Sequence, residues 1–352
     1  MAALPPAIAD AFAVQAGFCR LAGSPLTGAI CDAALLSLDG ESAVGRTIIG
    51  WPGNPHRDAL MMRFTGGCNA LVRAGKAPML AALYPPARLP PVADLADALQ
   101  KVFSDPALDA ELCRWLDGPP QTNEVARSGA LMPGMMAITA ATGLPLRLFE
   151  LGTSAGLNLN LDRFSYTLGG RPIGDLASPV RLAPAWTGAS PPAADITVVL
   201  RRGVDVNPLS VKDSAVRDRL LAYVWPDQLD RVARANAAIA LARRYPPPID
   251  CADAADWLER IVAPVVGSTA VVFHSIAYQY FPPTTQSRIA AHMAAIGVTA
   301  TAAAPVAWLR YEMDDGAVSD LATLRLTLWQ GGQPIERLLA RVHPHGAFVQ
   351  WQ

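Results

Sequence analysis

The stretch Glu150-Leu-Gly-Thr-Ser-Ala-Gly-Leu-Asn158 is the most informative part of this 352-residue chain. It follows an apolar run, Leu146–Leu151, which is typical of a buried β-strand, and it precedes a predicted helix. Gly152 and Gly156 lack a Cβ, so the backbone can turn sharply there and approach a ligand closely. The first N–H groups of a helix have no partner within it, which favours a carboxylate or another polar ligand. The stretch therefore predicts a ligand-binding loop at the carboxyl end of a strand.

Short apolar runs alternate with amphipathic helices on the C-terminal side of this loop, and the clearest helix spans Pro226–Arg243. Such alternation predicts an α/β fold, in which a parallel sheet carries helices on both faces. The strands after Leu324 follow one another without a helix, so we expect the sheet to end in an antiparallel pair. The predicted strands are Leu146–Leu151, Ile196–Leu200, a short one at Ile249, Ala270–Phe273, Ala307–Tyr311, Leu324–Trp329 and Leu339–Val342.

Residues 1–138 are rich in Ala and Leu at helical spacing, and we interpret them as an N-terminal helical (cap) domain that precedes an α/β domain of residues 139–352. Ser24-Pro25-Leu26 interrupts the helical pattern. An insertion around residues 164–195 contains Tyr166-Thr-Leu-Gly-Gly-Arg-Pro-Ile, which predicts a hairpin. The helices predicted in the first part are Ala7–Leu21, Leu60–Ala82 (one or two helices), Pro91–Phe103, Ala107–Leu116 and Glu124–Thr142.

The composition argues against several classes of protein. Hydrophobic residues make up 51% of the chain and charged residues 17%, which allows a packed core and argues against disorder. The net charge of -1 argues against a nucleic-acid-binding surface. Five scattered cysteines indicate reduced thiols, and the sequence has neither a signal-like start nor a run of about 18 apolar residues. We therefore expect a soluble, cytoplasmic protein that acts on a small-molecule substrate, without nucleic acid or membrane as a partner.

Acidic residues follow the next two predicted strands. Asp205, in Gly203-Val-Asp-Val-Asn-Pro208, stands just past the second strand, where an acid binds the ribose hydroxyls in nucleotide-binding folds. The alternative for Asp205 is an Asx-type turn before the proline. Asp253 follows the third strand, where it can accept a hydrogen bond from an adenine amino group or cap the helix that begins at Ala254.

In this order the motifs resemble those of the class I S-adenosylmethionine-dependent methyltransferases. The resemblance implies a Rossmann-like, mostly parallel seven-stranded sheet with an antiparallel end, and S-adenosylmethionine as cofactor. It also implies that the first loop holds the methionine part of the cofactor, while Asp205 holds the ribose and Asp253 meets the adenine. Ser154 departs from the commonest first motif, which has a glycine there, and the insertion is a second departure. The residues implied in cofactor binding are Glu150, Gly152, Thr153, Ser154, Gly156, Asn158, Asp205 and Asp253.

Five stretches carry a closer resemblance: Gln121-Thr-Asn-Glu-Val-Ala-Arg127-Ser, Leu151-Gly-Thr-Ser-Ala-Gly-Leu-Asn158, Arg202-Gly-Val-Asp-Val-Asn-Pro208, Trp225-Pro-Asp-Gln228 and Phe273-His-Ser275. They are similar to a bacterial family of domains of unknown function, number 2332. This resemblance spans most of the chain, and it implies no particular activity.

His274 and Ser275 end the fourth predicted strand, and both are candidate catalytic residues. A histidine at this edge can act as a base toward an acceptor hydroxyl or amine. The alternative is a histidine that is hydrogen-bonded to a neighbouring loop. Tyr278 and Tyr280 follow, and they can line an acceptor pocket or simply pack in the core.

Gln121, Asn123, Glu124 and Arg127 lie just before the helix that precedes the first strand, from where they can reach a substrate over the cofactor loop. The simpler interpretation is structural. Asn123 would cap that helix, and Glu124 would pair with Arg127 at i,i+3.

Other functions remain open at this point. Gly152-Thr-Ser-Ala-Gly156 also fits the nucleophile elbow of an α/β-hydrolase, which would make Ser154 the nucleophile and His343 or His345 its base. A nicotinamide-linked dehydrogenase is disfavoured, because Ser154 occupies the place of the second glycine of its motif. A non-catalytic protein that binds an adenosyl ligand is a third possibility. His343-Pro-His345 lacks a third ligand at a fitting spacing, so we expect a turn there and no metal.

Overall fold

The computed structural model describes residues 4–313 and 321–352. These residues form two compact units. The helical unit comprises residues 4–122 and 213–236, and the sheet unit comprises residues 123–212 and the described part of 237–352. The segment Ser128–Thr142, which lies mostly before the predicted boundary at residue 138, belongs to the sheet unit.

Most of the predicted helices are present. The prediction over Leu60–Ala82 corresponds to two helices, and Pro25 begins a helix, because the first turn of a helix tolerates proline. Short 3-10 helices span Val125–Arg127, Leu157–Arg163 and Tyr278–Tyr280. In chain order the α-helices are α1 (Pro6–Leu21), α2 (Pro25–Ser37), α3 (Ala43–Ile49), α4 (Leu60–Arg73), α5 (Pro78–Ala81), α6 (Val92–Ser104), α7 (Pro106–Leu116), α8 (Ser128–Thr142), α9 (Ser214–Ala222), α10 (Leu229–Arg244), α11 (Ala254–Ile261) and α12 (Pro283–Val298).

Apolar side chains at helical spacing build the core of the helical unit. In α6, the buried residues Leu95, Leu99 and Val102 stand at positions i, i+4 and i+7 of one face. Phe12 and Phe64 meet edge to face in the same core, with ring centroids 5.7 Å apart.

The stretch Trp225-Pro-Asp-Gln228 holds the start of α2 within the helical unit. The Asp227 carboxylate accepts hydrogen bonds from the Leu26 N–H at 2.8 Å and from the Ser24 hydroxyl at 2.5 Å. Gln228 donates to the carbonyl of Ala22 at 2.8 Å. Asp227 therefore satisfies one of the N–H groups that a helix leaves unpaired at its N-terminus.

The sheet unit contains a nine-stranded, mostly parallel sheet, so the chain has a mixed α/β fold. Its large sheet runs in the spatial order β5-β12-β11-β10-β9-β8-β1-β6-β7, and the five strands from β9 to β7 are parallel. In chain order the strands are β1 (Leu146–Leu151), β2 (Ser165–Leu168), β3 (Arg171–Gly174), β4 (Arg181–Leu182), β5 (Ala185–Gly188), β6 (Val198–Asp205), β7 (Ile249–Cys251), β8 (Thr269–Ser275), β9 (Val306–Met313), β10 (Ala322–Trp329), β11 (Ile335–Val342) and β12 (Phe348–Trp351).

The antiparallel end predicted for the sheet is confirmed. Strands β9 to β12 form an antiparallel meander, and β5 adds to β12 in parallel. The sheet has nine strands rather than the predicted seven, because β12 and β5 extend it beyond β11. The hairpin in the insertion is also confirmed, since β2 and β3 pair across Gly169-Gly170, and β4 completes a small second sheet.

Phe149 of β1 and Trp257 of α11 meet edge to face in a buried cluster that packs α11 and α12 against the central strands.

Within the described part of the chain, no helix combines the length and the apolar character needed to cross a membrane.

Candidate functional site

The candidate site lies where the parallel strands end, at what we term the carboxyl edge of the sheet. Strand register aligns Glu150 of β1 with Gly203 of β6 and with Phe273 of β8. It also aligns Ser275 of β8 with Tyr311 of β9. The loops after β1, β6 and β8 are therefore neighbours, and the end of β9 lies beside that of β8. Ligands of open α/β sheets bind at this edge.

The glycine loop turns as the sequence predicts, but the space beside its glycines is filled by protein. Gly152 and Gly156 both have positive φ angles, 66° and 68°. A Cβ on Gly152 would lie 2.8 Å from the Cβ of Ala277, and one on Gly156 would lie 2.8 Å from the Pro247 ring. Glycine is thus required at both positions by the backbone conformation and by packing.

Ser154 and Asp205 join the loops after β1 and β6. The Ser154 N–H donates to Asp205 Oδ2 at 2.8 Å, and Asp205 Oδ1 accepts from the Asn207 N–H at 2.9 Å. Asp205 therefore forms the Asx turn considered as an alternative, and it also lies against the glycine loop. The N–H groups of Gly152 and Thr153 both donate to the carbonyl of Val204, which fixes the two loops together.

The Ser154 side chain has an unusual environment. Its φ of 54° lies in the left-handed region, which residues other than glycine rarely adopt. Its Oγ is buried and has no hydrogen-bond partner among residues 4–313 and 321–352.

Glu150 is buried beside the loop, with a relative exposure of 2%. Thr153 Oγ1 donates a hydrogen bond to its Oε2 at 2.5 Å. Burial raises the pKa of the Glu150 carboxyl to about 8; the Asp205 charge acts in the same direction, whereas the Thr153 hydrogen bond and the Arg127 charge lower it. The site therefore contains a carboxyl group that is largely protonated at neutral pH.

The segment after the loop corrects two predictions. It begins with the 3-10 helix Leu157–Arg163, and its first N–H, that of Leu157, already donates to Asn123 Oδ1 at 2.9 Å. The predicted position for a ligand carboxylate is thus occupied by Asn123, which does not cap the helix before β1. Asn158 binds the Ser128 hydroxyl and the carbonyl of Glu124, so it ties this segment to α8.

Glu124 and Arg127 are both buried in the sheet unit. The Glu124 side chain accepts from the Ala126 N–H at 3.0 Å and caps the 3-10 helix Val125–Arg127. The Arg127 guanidinium donates to the carbonyls of Ser275 at 2.8 Å and Pro344 at 3.0 Å, so it links the end of β8 to the turn before β12. Gln121 lies in the helical unit.

His274 is fully buried, and both of its ring nitrogens have partners. Its Nδ1 lies 2.6 Å from Glu312 Oε1, and Trp308 Nε1–H donates to its Nε2 at 3.1 Å. Because the indole can only donate, Nε2 is the acceptor and Nδ1–H points to Glu312. This geometry does not support the predicted base and favours the alternative of a hydrogen-bonded, structural histidine.

Glu312 is a candidate residue that was not predicted. Its Oε1 accepts three hydrogen bonds, from His274 and from the N–H groups of Ala277 and Tyr278, both at 3.1 Å. Its Oε2 is buried and lacks a hydrogen-bond partner in the part of the chain that the structure describes. The available signal was an acid at the end of an apolar strand, the same signal that pointed to Asp205.

The turn after β8 carries the two predicted pocket tyrosines. It begins at Ile276, whose φ of 49° is unusual for a β-branched residue. Tyr278 stacks on His274 at 4.9 Å, and its hydroxyl donates to the carbonyl of Gln286 at 2.7 Å, so this ring belongs to the packed core. Tyr280 is 71% exposed.

Asp253 serves as a helix cap. Its Oδ1 accepts from the N–H groups of Ala255 and Asp256 at the start of α11, and its Oδ2 accepts from the Thr285 hydroxyl at 2.9 Å.

At the other end of the sheet, the His345 N–H donates to His343 Nδ1 within the turn between β11 and β12, as expected for a turn.

No curated protein and no solved structure gives a significant match to the chain. Residues 9–351 match a family described as uncharacterized proteins conserved in bacteria, DUF2332. The match covers nearly the whole sequence, including both units and every residue of the carboxyl edge, and the chain therefore belongs to this bacterial family.

Proposed function

We propose that the protein is an S-adenosylmethionine-dependent methyltransferase whose cofactor binds at the carboxyl edge. The observation that carries the proposal is the 2.8 Å hydrogen bond from the Ser154 N–H to the Asp205 carboxylate. It brings the glycine loop after β1 and the acid after β6 to one place, as a site for a nucleoside-bearing ligand requires.

The strand order supports the same location. Strands β7-β6-β1-β8-β9 have the order of a doubly wound sheet, in which the chain crosses to one side of β1 and later to the other. Ligands of such folds bind at this switch point, between β1 and β8. Here the loops after β1 and β8 meet through Gly152 and Ala277.

The donors and acceptors at the edge fit an adenosyl ligand. Each oxygen of Asp205 has one backbone donor, and a carboxylate oxygen can accept two hydrogen bonds. Asp205 can therefore also accept from both ribose hydroxyls, while Glu150 and the loop hold the methionine part. Asp253 Oδ1 already accepts two hydrogen bonds from the start of α11, and its Oδ2 accepts one from Thr285, which leaves a single acceptor position on Oδ2 for the predicted adenine contact.

Bound S-adenosylmethionine supplies an electrophilic methyl group on a sulfonium. The chain's own contribution is to orient the reactants in line and to exclude water, effects that can supply roughly 7–11 kcal/mol. Glu150, being largely neutral, contributes a hydrogen-bonding group at the loop without adding a second negative charge beside Asp205.

A thermal shift with S-adenosylhomocysteine and S-adenosylmethionine tests the proposal. Wild type should gain about 2.7 kcal/mol of stability at a hundredfold excess over the dissociation constant. Asp205→Asn keeps an acceptor for the Asx turn but loses the carboxylate, and it should weaken binding about tenfold or more. Asp175→Asn is the matched control, because Asp175 forms a similar turn with the Ala177 N–H in the insertion. The proposal fails if neither ligand shifts wild type, or if Asp205→Asn binds as wild type does.

One observation favours an α/β-hydrolase instead. Ser154 has the left-handed backbone expected of a nucleophile on a sharp strand-to-helix turn. A serine nucleophile also needs a base within hydrogen-bond reach, and Ser154 Oγ has no such partner among the residues described. A fluorophosphonate probe that labels wild type but not Ser154→Ala would support the hydrolase.

Binding of S-adenosylhomocysteine without methyl transfer to any acceptor would instead support a non-catalytic adenosyl-binding protein. A cytoplasmic location fits either outcome, because the five cysteines are free thiols.

A further inference from the structure

The end of β9 combines two features that destabilise a folded protein. Glu312 Oε2 is a buried carboxylate oxygen without a partner among the described residues, although Oε1 of the same group accepts three hydrogen bonds. Ile276 starts the turn that supplies two of those donors, and its φ of 49° is costly for a β-branched side chain. Unpaired buried acceptors are rare in native proteins, and strained residues cluster at ligand sites.

We propose that Glu312 Oε2 binds the hydroxyl group of the substrate, and that this hydroxyl is the methyl acceptor. Oε2 is a hydrogen-bond acceptor, so the partner that fits it is a donor. The group is held in place by His274, which donates to Oε1 and is itself fixed by the Trp308 indole. His274 is thus a positioning residue, and Glu312 takes the role of base that the sequence assigned to His274.

A neighbouring cation favours a hydroxyl over an ammonium group. Arg310 stands two residues before Glu312, so both side chains lie on the same face of β9. Its guanidinium carbon lies 4.6 Å from the centre of the Trp308 ring, and its Nε is buried and unpaired within the described ranges. The guanidinium itself donates to Thr327 Oγ1 at 2.8 Å. An ammonium ion at Glu312 would meet the like charge of Arg310 on the same face of β9, whereas a neutral hydroxyl would not.

The acidity of the hydroxyl favours a phenol as the methyl acceptor. A phenol loses its proton near pH 10, far more readily than an aliphatic alcohol, so a carboxylate base serves a phenol better than an alcohol.

The O–H bond of the phenol breaks and its proton goes to Glu312 Oε2. The phenolate oxygen forms a bond to the methyl carbon as the carbon–sulfur bond of S-adenosylmethionine breaks. Glu312 releases the proton to water when the ether product leaves. This step rests on the proposed methyl transfer, whereas binding of the hydroxyl does not.

Binding is tested with phenol, anisole and benzylamine as probes, each without cofactor, by thermal shift on the full chain. Phenol should stabilise wild type, whereas anisole, which has no donor, and the cationic benzylamine should not. In Glu312→Gln the acceptor Oε2 is replaced by an amide donor while Oε1 is retained, so phenol should bind about tenfold or more weakly. Glu259→Gln, at an exposed carboxylate of α11, should respond as wild type does.

An equal response to phenol and anisole, a stronger response to benzylamine, or unchanged phenol binding in Glu312→Gln would overturn the inference. If Glu312→Gln does not fold, the phenol and anisole comparison on wild type decides the question alone. A Glu312-dependent phenol response without any S-adenosylhomocysteine shift would refute the proposed methyl transfer and leave the hydroxyl site standing.

Discussion

Replacing Glu150 by Gln should change how the stability of the protein depends on pH. Burial raises the pKa of this carboxyl from 4.5 to about 8. The folded protein therefore keeps a proton that the unfolded chain releases, and raising the pH between these two values favours unfolding. One proton corresponds to about 1.4 kcal/mol per pH unit, so wild type should lose about 2 kcal/mol relative to Glu150→Gln between roughly pH 5.5 and pH 7.

Glu150→Gln is a suitable reference because glutamine is neutral at every pH and can still accept the hydrogen bond of Thr153. Both proteins would be unfolded with urea at several pH values and followed by circular dichroism. Other titrating groups affect both proteins alike, so only the difference between them is compared. A constant difference across this range would refute the buried, protonated state of Glu150. A difference that grows in favour of wild type as the pH rises would mean that its carboxyl is ionised and stabilising.

Two further substitutions test packing in the two units, each measured by urea unfolding. Gly152→Ala should destabilise the protein by about 2–4 kcal/mol, because the new Cβ would lie 2.8 Å from the Cβ of Ala277 and the residue has a positive φ. The control, Gly143→Ala, also has a positive φ but lies in open space, so it should cost only about 1–2 kcal/mol. Equal losses in the two variants would contradict the packing role of Gly152. Asp227→Ala should lower the free energy of unfolding by about 1–2 kcal/mol, because it removes the cap of α2. The control, Asp230→Ala at an exposed position, should stay within about 0.5 kcal/mol of wild type. An equally small effect at Asp227 would contradict its capping role.

The central strands could be predicted from sequence because burial on both faces leaves a continuous apolar run. All seven residues of β8 are buried, and β1 is nearly as uniform. The outer strands carry no such signal. The four residues of β5 are mostly exposed, and β5 pairs with β12 more than 150 positions later in the chain. Local periodicity gives no information about a pairing of this kind, so the width of the sheet could not be predicted.

The candidate site could be predicted where it depends on the order of strands, and not where it depends on side-chain partners. An acid that follows a parallel strand is expected at the carboxyl edge of the sheet. This rule correctly predicts Asp205 beside the glycine loop. The same rule would have found Glu312, but the predicted strand ended at Tyr311, whereas β9 continues to Met313. Asn123 binds Leu157, and His274 binds Trp308. Each partner is 34 residues away along the chain, so spacing within one motif cannot reveal it.

The carboxyl edge also shows which of its unusual features need a ligand to explain them. Gly152 and Gly156 do not, because protein atoms already fill the space beside them. Ser154 and Ile276 adopt left-handed backbone that glycine would adopt at lower cost, and the buried Ser154 Oγ and Glu312 Oε2 leave hydrogen bonds unmade. Strained backbone and unpaired buried polar groups are uncommon in native proteins and cluster at functional sites. These features lie on the loops after β1 and β8 and at the end of β9, where the proposed ligand would supply the missing hydrogen-bond partners.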